Sequence, residues 1–291
     1  MGTLYVVATP IGNLEDVTLR ALRLLREADL VLAEDTRRTR VLLERHGIAT
    51  RPRSLHAHNE AARTREVLEA LAGGAAVALV SDAGTPLVSD PGATLVAAAV
   101  AAGHAVVAVP GASAVLSALT VSGLPTARFS FLGFLPRRAG PRDALLAAHR
   151  ARPETLVLFE SPRRLGATLR ALRAALGDRR ACVARELTKL HEEVVRGRLS
   201  ELEARFPATA RGEVTLVVEG VSEAASADTS LRRPEAGAET EAPAEAALEA
   251  SIRRLLAEGR TPREVAAALA KASGLRKRDV YARAVAARGS A

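Results

Sequence analysis

The chain has 291 residues, 48% of them apolar and 25% charged, enough to bury a sizeable core in about two compact domains. It holds no run of about eighteen apolar residues for a membrane span, and its start at Met1 to Tyr5 lacks the basic and then apolar regions of a signal peptide. A cytoplasmic protein with no membrane partner and no intramolecular disulfide is expected, because Cys182 is the single cysteine and sits in the apolar run Ala181 to Ala184. Lys and Arg number 41 against 33 Asp and Glu, a net charge of +8, which favours a polyanionic partner. From Glu245 onward ten Lys and Arg face five Asp and Glu, so this short tail carries +5 of the total.

In chain order, β-branched runs alternate with helical patterns, as in parallel sheets covered by helices. Strands are expected at Leu4 to Ala8, Leu30 to Ala33, Ala76 to Val80 and Ala105 to Val109. Asn13 is placed to cap a helix whose buried stripe is Val17, Ala21, Leu24, Leu25 and Ala28, while Gly47 and Gly103 sit where helices stop. A second series of strands follows at Phe129 to Leu132, Thr155 to Phe159, Cys182 to Arg185, Glu193 to Val195 and Val214 to Val218. Between its second and third strands, Ser161 and Pro162 read as the start of a helix with Leu165, Leu169, Leu172 and Leu176 inside and Gly177 as its stop. The fold class is therefore α/β, with domains at 1–124 and 125–221 and a cleft between them suited to a small molecule.

From Ser222 to Pro243 large apolar residues nearly vanish, which reads as a flexible linker over 222–243. Residues 244–291 read as a basic helical appendage of three helices. They are Glu245 to Ala257, a second opened by the capping box Thr261 to Glu264 and ended at Ser273-Gly274, and Arg278 to Ala287. Leu255, Leu256, Val265, Leu269, Leu275, Val280 and Val285 would share a minimal core, leaving Arg276, Lys277 and Arg278 for phosphate contact.

The chain has no Walker A loop, no G-x-G-x-x-G after the first strand, no H-E-x-x-H and no nucleophile elbow. Triphosphate hydrolysis, an ordinary dinucleotide site and zinc hydrolysis are disfavoured. Small-residue loops instead follow three strands: Thr9 to Asn13, Ser81 to Gly92 and Pro110 to Ala114. Ligands of α/β folds bind at such strand ends, where small residues let backbone groups approach closely. The middle loop carries two acidic residues, two glycines and two prolines but no Lys or Arg, which suits a cationic sulfonium nucleoside better than a nucleotide. His56 and His58 flank Ala57 on one expected strand face, but without a nearby carboxylate or cysteine set they make no metal site, and no metal is expected.

Ala8 to Thr18, Ala33 to Arg37, His58 to Glu60, Ser81 to Gly92, Pro110 to Ser113, Phe159 to Arg163 and Arg185 to Lys189 together resemble the 16S ribosomal RNA cytidine 2′-O-methyltransferase branch of the tetrapyrrole-methylase family. The likeness covers roughly residues 3 to 220, with Thr9-Pro-Ile-Gly-Asn where the corrin and siroheme branches have G-x-G-P-G. It implies two α/β domains, a homodimer, small-subunit RNA as partner, and S-adenosylmethionine in the interdomain cleft. The cofactor would lie against Ile11, then Ala83, Gly84, Thr85 and Val88, then Ser113 and Ala114, with Glu160 and Leu187 closing over it. Transfer to a ribose hydroxyl needs alignment and is helped by a base, for which Asp35 and Lys189 are candidates, with Arg37 as a phosphate clamp or positioning group. Two alternatives stay open: a methyltransferase of the same fold acting on a tetrapyrrole-like small molecule, and an RNA-binding relative that has lost the chemistry.

Overall fold

The structure, a computed structural model, describes residues 2–56, 58–206, 211–221, 251–252, 255–257, 260–273 and 277–289. The chain divides into two compact units, Met1–Ser226 and Ala227–Ala291.

The first half of the larger unit is a parallel sheet in the order β3-β2-β4-β1-β5. Its strands are β1 (Thr3–Val7), β2 (Leu30–Ala33), β3 (Arg53–Ser54), β4 (Ala76–Val80) and β5 (Ala105–Val109). Val77 and Leu79 face one apolar cluster while Ala78 and Val80 face another, so the period of two along β4 feeds a core on each side. Helix α1 (Leu19–Glu27) covers one face through Ala21, Leu24 and Leu25. Helices α3 (Glu60–Ala72) and α4 (Ala93–Ala101) cover the other through Val67, Leu71, Leu95 and Ala99. Helix α2 (Thr36–Arg45) follows β2. In the register Val7 lies beside both Val80 and Val109, so the loops after β1, β4 and β5 leave the sheet side by side.

The second half is a mixed sheet in the order β6-β7-β10-β8-β9. It is built from β6 (Phe129–Phe134), β7 (Thr155–Glu160), β8 (Arg180–Arg185), β9 (Glu193–Arg198) and the fully buried β10 (Val214–Val218). Helices α6 (Ala139–Ala148), α7 (Leu165–Leu176) and α8 (Leu199–Arg205) pack one face, where Leu165, Leu169, Leu172 and Leu176 are buried as their spacing requires. The opposite face receives α5 (Ala114–Val121): Val115, Ala118 and Leu119 join Val157, Cys182 and Val217 in a cluster that also takes in Ile11 and Leu187. Cys182 is fully buried there.

Several local details differ from expectation. Asn13 caps a 3-10 turn over Leu14–Asp16, and α1 starts later under Thr18, whose hydroxyl accepts from the Ala21 N–H. Ser161 and Pro162 do not start α7, which begins at Leu165: they form a turn closed by the Arg164 N–H to the Ser161 carbonyl at 2.9 Å, and both line the cleft described below. His56 and His58 lie beyond the two-residue β3 and not on a strand face; their ring centroids are 6.0 Å apart, edge to face. In the smaller unit, α9 (Pro262–Ser273) opens with the expected capping box, Thr261 N–H to Glu264 at 2.8 Å and Glu264 N–H to the Thr261 hydroxyl at 3.4 Å. Helix α10 (Lys277–Gly289) follows, and Ile252, Leu255, Val265, Ala266, Val280 and Ala284 form the core, whereas Val285 is exposed. The linker 222–243, the stretch Glu245 to Ala250, Gly274, Leu275, Arg276 and the Lys277 side chain lie outside the described residues.

Candidate active site

The three small-residue loops are tied together by their backbones. Thr9 and Gly84 exchange N–H to carbonyl bonds of 2.9 and 3.0 Å, the Ser81 hydroxyl donates to the Gly84 carbonyl at 2.9 Å, and the Thr85 hydroxyl reaches the Ala112 carbonyl at 3.3 Å. Gly84 has φ +85°, and a Cβ on it would stand 3.2 Å from Ile11 Cγ2 and 3.6 Å from the Ala112 carbonyl oxygen. A side chain would therefore enter the space that all three loops share. Leu87 and Ser89, in the same loop, hold φ of 73° and 70° without being glycine, and across the cleft Glu186 and Thr188 hold 51° and 66°. Four such residues in two facing segments mark strain held in place by the surrounding fold, as at ligand clamps.

The loops form one wall of a cleft of about 390 Å³, within the usual range for a small-molecule site. The structure brings Ile11, Ala83, Gly84, Thr85, Val88, Ser113 and Ala114 together on that wall. Glu160 and Leu187 stand on the opposite wall with Phe159, Ser161 and Pro162. The Glu160 carboxylate is fully buried, accepts from the Ser161 N–H and the Thr168 hydroxyl, and lies 3.4 Å from Arg164. These bonds anchor the turn after β7 where it lines the cleft.

The cleft wall is acidic. Glu34, Asp82, Asp90 and Glu213 line it, and Arg38 lies 3.7 Å from Asp82 and 3.9 Å from Glu213. Burial first, and then the charges of Glu34 and Asp82, push Asp90 up to about 6; burial and Asp82 also raise Glu34, with Arg38 opposing. One arginine against this set repels phosphate groups and accommodates a ligand with positive charge. Apolar Ile11, Val88 and Leu187 offer faces for a planar base, and Ala83, Gly84, Ser113 and Ala114 allow close backbone approach. The donor set and shape thus fit a cationic sulfonium nucleoside.

Asp35, Arg37 and Lys189 lie outside the cleft lining. Asp35 caps α2: its carboxylate accepts from the Arg37 N–H at 2.9 Å and pairs with the Arg37 guanidinium at 2.6 Å, and that pairing holds it down at about 2. Lys189 Nζ donates to Glu186 at 2.8 Å and to Glu213 at 3.1 Å, while its stem covers Gly12, where an added Cβ would stand 2.5 Å from Lys189 Cγ. Burial opposes its charge, but the two carboxylates outweigh that and raise its affinity for the proton. In this arrangement Asp35 is paired with Arg37, and Lys189 is held in its charged form by Glu186 and Glu213. Sequence reasoning left out Glu34, Arg38 and Glu213; the pattern Ala33 to Arg37 pointed one residue away from the first two, and Glu213 belongs to none of the motifs.

Residues 3–203 match the family described as Tetrapyrrole (Corrin/Porphyrin) Methylases, and the chain belongs to that family. Within it, the sequence is similar to proteins called Ribosomal RNA small subunit methyltransferase I. The one from Halalkalibacterium halodurans is 49% identical over 223 residues, 76% of this chain and 77% of that protein. The one from Micromonospora olivasterospora is 47% identical over 282 residues, 96% of this chain and 85% of that protein. In fold, the chain resembles the uroporphyrin-III C-methyltransferase of Thermus thermophilus solved with S-adenosyl homocysteine, with TM-score 0.54 and 24% identity over 74% of this chain and 97% of that one. Among the described residues no helix is long and apolar enough to cross a membrane, and no group of three or more His, Cys, Asp and Glu is placed to hold a metal ion.

Proposed function

We propose that the protein uses S-adenosylmethionine to methylate small-subunit ribosomal RNA, at the 2′-hydroxyl of a cytidine ribose. The observation that carries this reading is an acidic cleft onto which three interlocked loops and the turns after β7 and β8 all open. High identity to small-subunit rRNA methyltransferases over most of the chain supports the RNA substrate. A cytoplasmic homodimer is part of the same reading.

S-adenosylmethionine, when bound, supplies a methyl group on a positively charged sulfur. Ile11, Ala83, Gly84, Thr85, Val88, Ser113, Ala114 and Leu187 would hold it, with Glu160 fixing the turn beside it. The rest of the work is alignment of the ribose oxygen, which can supply much of the rate. Asp35 and Lys189 are the candidates to receive the hydroxyl proton, with Arg37 as a phosphate clamp or positioning group, and Asp82 and Asp90 at the cleft wall add two further carboxylates. Lys189 holds Glu186 and Glu213 in register against the first loop, and Asp35 fixes Arg37 and the start of α2. Mass spectrometry of rRNA nucleosides from cells with and without the protein tests the assignment: loss of one 2′-O-methylcytidine supports it, and an unchanged nucleoside profile rejects it.

A further inference from the structure

An acidic cleft cannot grip an RNA backbone, so phosphates must be held elsewhere. At the opposite end of β8 from Ala184 lies a second hollow of about 260 Å³, lined by Arg180, Arg196 and Arg198 over a floor of Ser122, Gly123 and Gly197. Four residue steps lead from Arg180 to Ala184, about 13 Å along β8. Arg180 pairs directly with Arg198 across the β8–β9 ladder, and Arg196, two residues along β9, shares their face. Like charges directly opposite each other destabilise an antiparallel pair, so three on one face give the sheet nothing by themselves.

Carbonyl oxygens absorb only part of this charge. Arg196 Nε donates to the Val121 carbonyl at 2.9 Å, Arg180 to that of Gly123 at 3.2 Å and Arg198 to that of Asp178 at 2.8 Å. Each guanidinium has five N–H groups, so donors remain for a ligand. Arg180 has Glu219 at 3.5 Å, and Glu201, whose carboxylate accepts the Arg198 backbone N–H at 2.8 Å, is the one acidic residue among the described residues lining the hollow, against three arginines. Among the described residues the Arg196 and Arg198 side chains have no carboxylate within ion-pair distance. We propose that this hollow binds a phosphodiester group of the RNA substrate, outside the methyl-transfer cleft. This inference rests on the reading that the substrate is RNA.

The test replaces Arg196 and Arg198 by glutamine, singly and together, and adds Arg196→Lys. Binding of small-subunit RNA is measured between about 50 and 200 mM salt, alongside S-adenosylmethionine affinity, thermal melting and methylation kinetics. The expected result is a salt slope flatter by about 0.7 to 0.9 per lost contact and a KM for RNA about tenfold higher in the double variant. Cofactor affinity and kcat should stay unchanged, with part of the loss restored in the lysine variant. Should the double variant melt early, the single variants carry the same comparison. An unchanged salt slope in variants of an enzyme whose wild type does methylate RNA overturns the hollow alone. Parallel loss of cofactor affinity also overturns it, by marking the arginines as structural. A wild type that binds and methylates no small-subunit RNA rejects the underlying reading, and this inference with it.

Discussion

Replacing Gly84 by leucine tests the cleft at the point where its three loops meet. With φ at +85°, an L-residue there costs about 1–2 kcal/mol in backbone strain. For a unit the size of Met1–Ser226 this lowers the melting temperature by about 2–8 °C and leaves it folded at room temperature. The new side chain starts 3.2 Å from Ile11 Cγ2 and 3.6 Å from the Ala112 carbonyl oxygen, so its outer carbons occupy ligand space. Displacing two methylene-sized contacts forfeits about 1.6 kcal/mol, a little over tenfold in affinity. Calorimetry with S-adenosylmethionine should show at least that loss, and alanine a smaller one, since its single carbon asks Ile11 to move only slightly. Undiminished affinity in a folded Gly84→Leu protein would refute the assignment of these loops to the cofactor.

Asp90 should destabilise the folded protein at neutral pH. Its carboxyl is raised from 3.8 to about 6, so the folded state binds more protons than the unfolded one between those values, and stability falls as pH rises through that window. Asp90→Asn should therefore melt higher than wild type at pH 8, with the gap closing below about pH 4; a gap independent of pH would contradict this. For Lys189, the ion pairs with Glu186 and Glu213 predict that Lys189→Arg keeps most turnover while Lys189→Ala loses it. Since arginine cannot act as a base, an arginine variant as slow as the alanine one, down by about 10² or more, would identify Lys189 as the proton acceptor.

The loops were legible because small residues directly after β-branched strands have no packing purpose, and the register of β1, β4 and β5 converts three sequence loops into one wall. The buried stripe of α7 was equally plain from its leucines. Capping chemistry misled in one place. Ser161-Pro162 carries a helix-start signature, yet α7 begins at Leu165 and these two residues line the cleft, while the capping of α2 by Asp35 was not read from its place at a strand end. Glu213 was out of reach for another reason. It arrives beside Lys189 only because Gly212 lets the backbone pass Glu186, where an added Cβ would stand 2.3 Å from the Glu186 Cδ. The left-handed backbone at Leu87, Ser89, Glu186 and Thr188 has no residue-type signal either, since none of these is glycine or asparagine.

The most direct measurement supplies purified protein with methyl-labelled S-adenosylmethionine and small-subunit ribosomal RNA, free and assembled into subunits, then digests the RNA and identifies the labelled nucleoside. About one methyl group per RNA should be recovered, as 2′-O-methylcytidine. Label on a base, label on another ribose, or none in either form of the RNA would contradict it.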